Sequence, residues 1–321
     1  MANEQHRFTW CMNSGALAIL LHQTPLRFKG IDILADILFC IALVTYVVFS
    51  ILFIARFVWF RKAAYLEITW NACLLFWAFT ILIRRHEPSN ANLPFSIIIP
   101  AVSVSTVGLT GAVISTYAVG LSARLAIPVM IVSFQWTGVG ILFGILLTSY
   151  LFWSLLTKGW PAPDQTATLF ILVGPMGMYM PSTYGRFGEY NTGTFLTAES
   201  AKALAPACLL LAFLMNGLGI IWLILGILGM LERAVKRELR WTPAWNGIIF
   251  PNSTLTTSFL LFAIDLDSPA YRVITVIMII ALVIVYLVNL VYTVLRVSQG
   301  KLLIVREDWR VRKLMEEQKE E

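Results

Sequence analysis

From Trp241 to Ile264 the chain carries no charged residue, and the stretches 37–55, 88–123, 125–157, 165–185, 203–231 and 273–295 are equally free of charge. A hydrocarbon core about 30 Å thick is crossed by roughly 20 helical residues, so runs of this length point to membrane spans. Two weaker segments, 10–23 and 69–83, join them. Strands are excluded, because the runs far exceed the length of barrel strands, whereas a helix satisfies every backbone N–H and C=O within its own segment. Composition agrees: 58% of residues are hydrophobic and 13% charged, against roughly a quarter charged in soluble domains, and mean hydropathy is +0.77. The expected fold class is an all-α polytopic membrane protein. Its divisions are a cytoplasmic amino-terminal segment at 1–9, a transmembrane domain at 10–296 and a charged cytoplasmic tail at 297–321.

The 24 Lys and Arg exceed the 18 Asp and Glu. In a membrane protein such an excess collects in cytoplasmic loops, so nucleic-acid binding is rejected. If all nine segments cross, the 24 cations divide sixteen to eight, with the tail on the richer side. Without a net crossing at 69–83 the division is eighteen to six; discounting 10–23 instead makes it seventeen to seven. An even count is favoured, with both termini cytoplasmic and "ERAVKRELR" (232–240) and the tail as solvated basic edges at the lipid surface. Only nine residues precede the first apolar stretch, and no small-residue cleavage site follows it, so a cleaved leader is not expected. Cys11, Cys40, Cys73 and Cys208 are dispersed, without metal-ligand or disulfide spacing, and read as small core residues. No metal or cofactor is expected.

The spans are of two kinds. Those at 37–55, 125–157, 203–231 and 273–295 are mostly Leu, Ile, Val and Phe, as in helices that meet lipid. Alternating with them are spans broken by Gly or Pro and dotted with polar groups: "WCMNSGALAIL", "IIIPAVSVSTVGLTGA", "FILVGPMGMYMPSTYG" and "WNGIIFPNSTLTTSF". Each pair reads as one helical hairpin with a polar inner and an apolar outer member. Helical spacing puts Pro100, Ser103, Thr106 and Thr110 on one face, and Phe250, Ser253, Thr254 and Thr257 on another. Small and hydroxyl residues also suit packed helix interfaces. Irregular backbone at membrane depth, however, is tolerated chiefly where it is buried or lines a wet cavity. The reading is a ring of inner helices around a conduit, lined by Asn13, Ser14 and Gly15, by the Pro100 stripe, by Gly174 and Pro175, and by Pro251, Ser253, Thr254 and Thr257.

"FTW" (8–10) followed by "NSG", then "TPLRFKG" (24–30), "VGPMG" (173–177) and "WNGIIFP" (245–251) together resemble the tellurite-resistance/dicarboxylate transporter family. Its fungal members include malic acid permeases and sulfite efflux pumps, and its relatives include the plant slow anion channels. The resemblance runs from about Phe8 to Arg296. It implies ten helices in five hairpins, the odd ones around a central pore, with cytoplasmic termini; trimers are formed by relatives, which leaves a homotrimer open here. Between Lys62 and Glu67 the family pattern holds a further inner helix, where this chain has only Ala63 to Leu66. The expectation is therefore about nine helices, one inner helix missing, with the activity of the chain dependent on whether the pore survives that loss.

The resemblance also implies that Phe250, beside Pro251, plugs the pore as an aromatic gate; such a ring blocks ions by dewetting. Packing against a neighbouring helix is the competing role. No Lys, Arg, Asp or Glu lies on the inner faces, so an anion would be drawn by charges at the mouths and held weakly by hydroxyls. Arg124 and Arg186, at span ends, are the candidate rim charges, with snorkelling to headgroups as their alternative. Proton coupling rests only on His22, Asp32 and Asp36 near span ends. The expected function is transport of a small anion across the plasma membrane, malate or another four-carbon dicarboxylate from "TPLRFKG", or sulfite from "GPMG". A membrane-embedded enzyme using His86 and Glu87 of "RRHEPSN" is the alternative of another class, but no second His, nucleophile elbow or metal spacing accompanies them. "NST" at Asn252 lies too deep to be glycosylated.

Overall fold

Helix boundaries fall where the turn chemistry permits. The computed structural model describes residues 2–25, 27–59, 95–106, 108, 123–176 and 198–299, with side chains over 10–25, 27–48, 51, 95, 97–106, 108, 127–175 and 206–299. Helix α1 (Ala2–His22) extends amino-terminally beyond the apolar stretch at 10–23. Gly30, at φ 99°, takes the left-handed conformation just before α2 (Ile31–Trp59). Helix α3 (Ala123–Lys158) stops at Gly159, φ 77°, whose N–H bonds the Leu155 carbonyl at 2.9 Å. After α4 (Ala198–Val235) the chain reverses through Arg237, and the Glu238 N–H returns to the Arg233 carbonyl at 2.9 Å. Helix α5 (Asn246–Asp265) follows a 3-10 turn at Pro243–Trp245. Helix α6 (Pro269–Ser298) begins with proline in its first turn, where the missing N–H costs nothing. Two broken segments complete the set: a 3-10 turn at Phe95–Ile98 that runs on as α-helix to 106, and a 3-10 helix at Thr166–Met176.

Among the described residues there is no strand, and five segments are long and apolar enough to cross a membrane. Their burial separates them into the two kinds expected. Of an 18-residue apolar window in each, only 22% is buried in Ile31–Val48, Ile127–Lys158 and Pro206–Val235 and 28% in Pro269–Ser298, against 72% in Pro243–Asp265. Thus α2, α3, α4 and α6 form an outer layer, and α5 lies inside. Each broken segment packs on the greasy helix that follows it: α1 on α2, 95–98 on α3, Thr166–Met176 on α4, and α5 on α6. The broken segments also touch one another in the order α1, α5, Thr166–Met176, 95–98. Cys11 is buried, but Cys40 is exposed on α2. The reading of Cys40 as a core residue is therefore corrected, because it falls on the outward face of an outer helix. The additional-helix position near 62–67, the segment at 69–83, Cys73, His86, Glu87 and the tail beyond 299 lie outside the described residues.

Lipid tails are as apolar as leucine, so these helices associate by close packing instead of by hydrophobic transfer. The 95–108 segment lays Ala101, Ser105 and Gly108 against Ser133, Thr137 and Gly140 of α3. A Cβ on Gly140 would lie 2.8 Å from the Ala101 carbonyl oxygen and 2.7 Å from the Ser105 nitrogen; one on Gly108 would lie 2.7 Å from the Ser133 carbonyl oxygen. Those atoms are backbone and cannot swing away. At the basic cluster 232–240, Arg233 donates to Glu238 at 2.5 Å and to the Pro161 carbonyl at 2.8 Å, tying the end of α4 to the loop after α3. Lys236 pairs with Glu232 at 2.5 Å.

Gly140→Ala is expected to cost about 1–3 kcal/mol through overpacking. Gly138→Ala, where a Cβ meets nothing within 4 Å, is expected to be neutral or to gain up to about 1 kcal/mol in helix propensity. Thermal unfolding of the two variants in detergent checks the pair, and equal midpoints would refute backbone contact as the reason for glycine at 140.

Candidate pore surface

Proline at 251 has no N–H to give the Gly247 carbonyl and crowds it sterically, so the first turns of α5 are the weakest in that helix. The polar residues around it are accommodated by their own backbone. Asn252 Nδ2 donates to the Ile248 carbonyl at 2.6 Å, Ser253 Oγ to Phe250 at 2.6 Å, Thr256 Oγ1 to Asn252 at 2.7 Å and Thr257 Oγ1 to Ser253 at 2.8 Å. Thr254 Oγ1 has two carbonyls in reach, Pro251 at 2.7 Å and Gly174 at 3.3 Å, the second on the neighbouring 3-10 helix. These bonds to carbonyls three or four residues back let a helix carry hydroxyls at membrane depth. Burial finishes the accommodation: Asn252, Ser253, Thr254, Thr256 and Ser258 are all buried, and Thr257 is half-buried.

The same device operates in the 95–108 segment. Ser103 Oγ donates to the Pro100 carbonyl, and Thr106 Oγ1 to the Val102 carbonyl, each at 2.8 Å. Because Ala101 and Ser105 face α3, Ser103 emerges on an exposed face, with Pro100 and Thr106 half-buried. Gly174 and Pro175 are buried in the 3-10 helix. A Cβ on Gly174 would meet Val102 at 3.3 Å and Pro251 at 3.6 Å. Three of the four broken segments therefore converge on Gly174.

Helix α1 completes the group through side-chain bonds. Asn13 and Ser14 are buried; Asn13 Nδ2 donates to the Asn246 carbonyl at 3.1 Å, and Ser14 Oγ and Tyr286 Oη share a bond of 2.8 Å. Both side chains are thus engaged between helices. Gly15 sits against Ala42 of α2, to which its Cβ position lies at 3.8 Å. Phe250 is half-buried and packs on the cluster that includes Val102, Leu172 and Val173. Thr110 and Arg186 lie outside the described residues, as does the side chain of Arg124, near the start of α3.

The sequence reading missed a second polar centre. Asn289 of α6 is buried, accepts from Trp241 Nε1 at 2.9 Å and donates to the Trp245 carbonyl at 3.4 Å. A lone amide in a run of Leu, Ile and Val, three residues from Tyr286 and so on its face, was the available signal. Among the described residues, Asn13 Oδ1, Asn246 Oδ1 and Asn252 Oδ1 meet no hydrogen-bond partner. Among the described residues, no group of three or more His, Cys, Asp or Glu gathers to hold a metal.

Comparison with known proteins bears on the whole chain. Residues 6–83 and 69–294 match the family model for voltage-dependent anion channels, in two stretches that share 69–83. A search of curated protein sequences finds no match. The match supports the motif resemblance at the level of the family, and makes the chain a multi-pass integral membrane protein of an anion-transporting, non-enzymatic class. With its sequence pattern shared over nearly the full length, and with broken inner segments backed by apolar outer helices, the chain belongs to the voltage-dependent anion channel family.

Proposed function

We propose that the chain carries small anions, malate or a related four-carbon dicarboxylate first, along a path bounded by its broken segments and closed by Phe250. The observation that supports this most directly is the meeting of Val102, Gly174 and Pro251, with Phe250 on the neighbouring position of α5. Small residues and a proline-loosened turn meet at one point, and in this reading the ring beside them blocks or clears the way by a rotamer change. Ser103 and Thr106 on one side, and Ser253 and Thr257 on the other, are the proposed polar lining. Their single protons are given to backbone carbonyls. Redirecting one to an anion exchanges a neutral bond for a charge-assisted one, which suits weak holding and quick release. Asn13, Ser14 and Gly15 belong to the same lining in this reading, and sequence alone adds Thr110 to it and puts Arg124 and Arg186 at span ends as rim charges.

Sulfite efflux is the alternative to malate transport, suggested by the "GPMG" motif that contains the converging Gly174. The double coverage of 69–83 supports an internal loss near 62–67, since an uninterrupted correspondence would count each residue once. A pore lacking one wall helix has a weaker seal, so flux in the intact protein is the decisive property. Proton coupling, a homotrimer, a plasma-membrane site and cytoplasmic termini are further parts of this reading.

In liposomes, Phe250→Ala is expected to raise anion efflux by about tenfold or more, the effect of removing ~1.4 kcal/mol from a barrier; unchanged flux would discard the gate. Labelled malate is expected to move faster than sulfite, with dependence on an imposed pH gradient reporting coupling. The reverse order would assign sulfite. Movement of neither anion in wild type or Phe250→Ala, together with a turnover that requires His86, would replace transport with the enzyme reading.

A further inference from the structure

The gate turn of α5 is held from two sides. Trp245 and Asn246 supply the carbonyls that begin the helix, accepting the N–H groups of Ile249 and Phe250 by the i to i+4 rule. One residue later the ladder fails, because Pro251 has no N–H for Gly247. No side chain caps this end: Trp245 stands at the N-cap without a side-chain hydrogen bond. Beside their intrahelical bonds, the two carbonyls receive amide donors from neighbouring helices. Asn13 of α1 donates to Asn246 at 3.1 Å, and Asn289 of α6 donates to Trp245 at 3.4 Å.

The orientation of Asn289 is set chemically. Trp241 Nε1 can only donate, and it points at Asn289 Oδ1 at 2.9 Å, which turns the Asn289 NH₂ toward α5. Trp241 is itself stacked on Tyr292, with centroids 5.7 Å apart. Asn13 is fully buried, and the acceptor-only carbonyl opposite fixes which end of its amide faces α5. We propose that Asn13 and Asn289 are positioning residues that hold the proline-broken turn of α5 and so keep Phe250 in its closed position. This rests on the aromatic-gate reading. Each amide acts through the backbone of α5, and neither touches the anion in doing so. Release of either bond leaves the start of α5, and the turn that carries the ring, with its intrahelical bonds but without that tether to the neighbouring helix.

The test combines flux and hydrogen exchange on the full-length protein, with labelled malate and sulfite as probes. Asn13→Leu keeps the branched shape of the side chain, with a larger volume, and removes the donor. It is expected to raise efflux by about three- to eighteenfold, the value of one interhelical hydrogen bond in a membrane, and to speed amide exchange across 246–252. Asn289→Leu is expected to do the same. Tyr286→Phe, which removes only the hydroxyl partner of Ser14, is expected to change neither. The double variant Asn13→Leu/Phe250→Ala is expected to leak no faster than Phe250→Ala alone. Multiplied effects in the double variant, or unaltered exchange across 246–252 in Asn13→Leu, would overturn the clamp. So would a leaky Phe250→Ala beside a tight Asn13→Leu, which leaves the gate standing. Phe250→Ala without effect on flux overturns the gate, and with it any role for the two asparagines in holding it.

Discussion

Within a bilayer a backbone carbonyl or a hydroxyl has no water to turn to, and the structure is organised by where those bonds go. In α5 the answer is local for the hydroxyls, and for the first carbonyls local with a second donor from outside. Ser253, Thr256 and Thr257 return their protons to carbonyls of their own helix. The helix start, next to the proline that interrupts the ladder, is completed by amides from α1 and α6. An interhelical bond of this kind is worth on average about 0.6 kcal/mol. Its consequence is therefore placement more than stability.

Placement also depends on what is small. Gly108, Gly140 and Gly174 stand where a single extra carbon would meet a backbone or a packed side chain. Such positions let the 95–108 segment lie directly on α3, and let three interrupted segments meet at one point. Large residues fill the same function from the other side: Phe213 stacks on Phe262 with centroids 4.4 Å apart, joining α4 to α5. The inner layer is thus held by contact density, while the outer helices turn their Leu, Ile and Val outward.

The polar junction at Asn13, Asn246 and Asn289 is under-supplied with partners, since Oδ1 of Asn13 and Asn246 is buried and unbonded. A buried carbonyl oxygen without a donor costs free energy. Here it accompanies the most irregular turn of the most buried helix, a combination that fits a site kept for geometry instead of for stability.

The linear chain determined the solvent, the helical class and the division into greasy and broken spans, because charge-free length and side-chain composition are properties of each segment alone. The burial of 22% for Ile31–Val48 against 72% for an 18-residue window of Pro243–Asp265 follows the contrast between "LFCIALVTYVVF" and "PNSTLTTSF". Helical spacing also placed Ser253, Thr254 and Thr257 beside Phe250, but it carried no information on which acceptor each hydroxyl would choose. Only the tertiary structure decided that Gly15 faces α2, that Asn13 reaches Asn246 across 233 positions of chain, and that Asn289 belongs with Trp241 and Trp245. Those pairings join residues far apart in sequence, and periodicity within one helix cannot rank partners on another. They are set by how closely the helices approach, which depends on side-chain volumes summed over every contact at once.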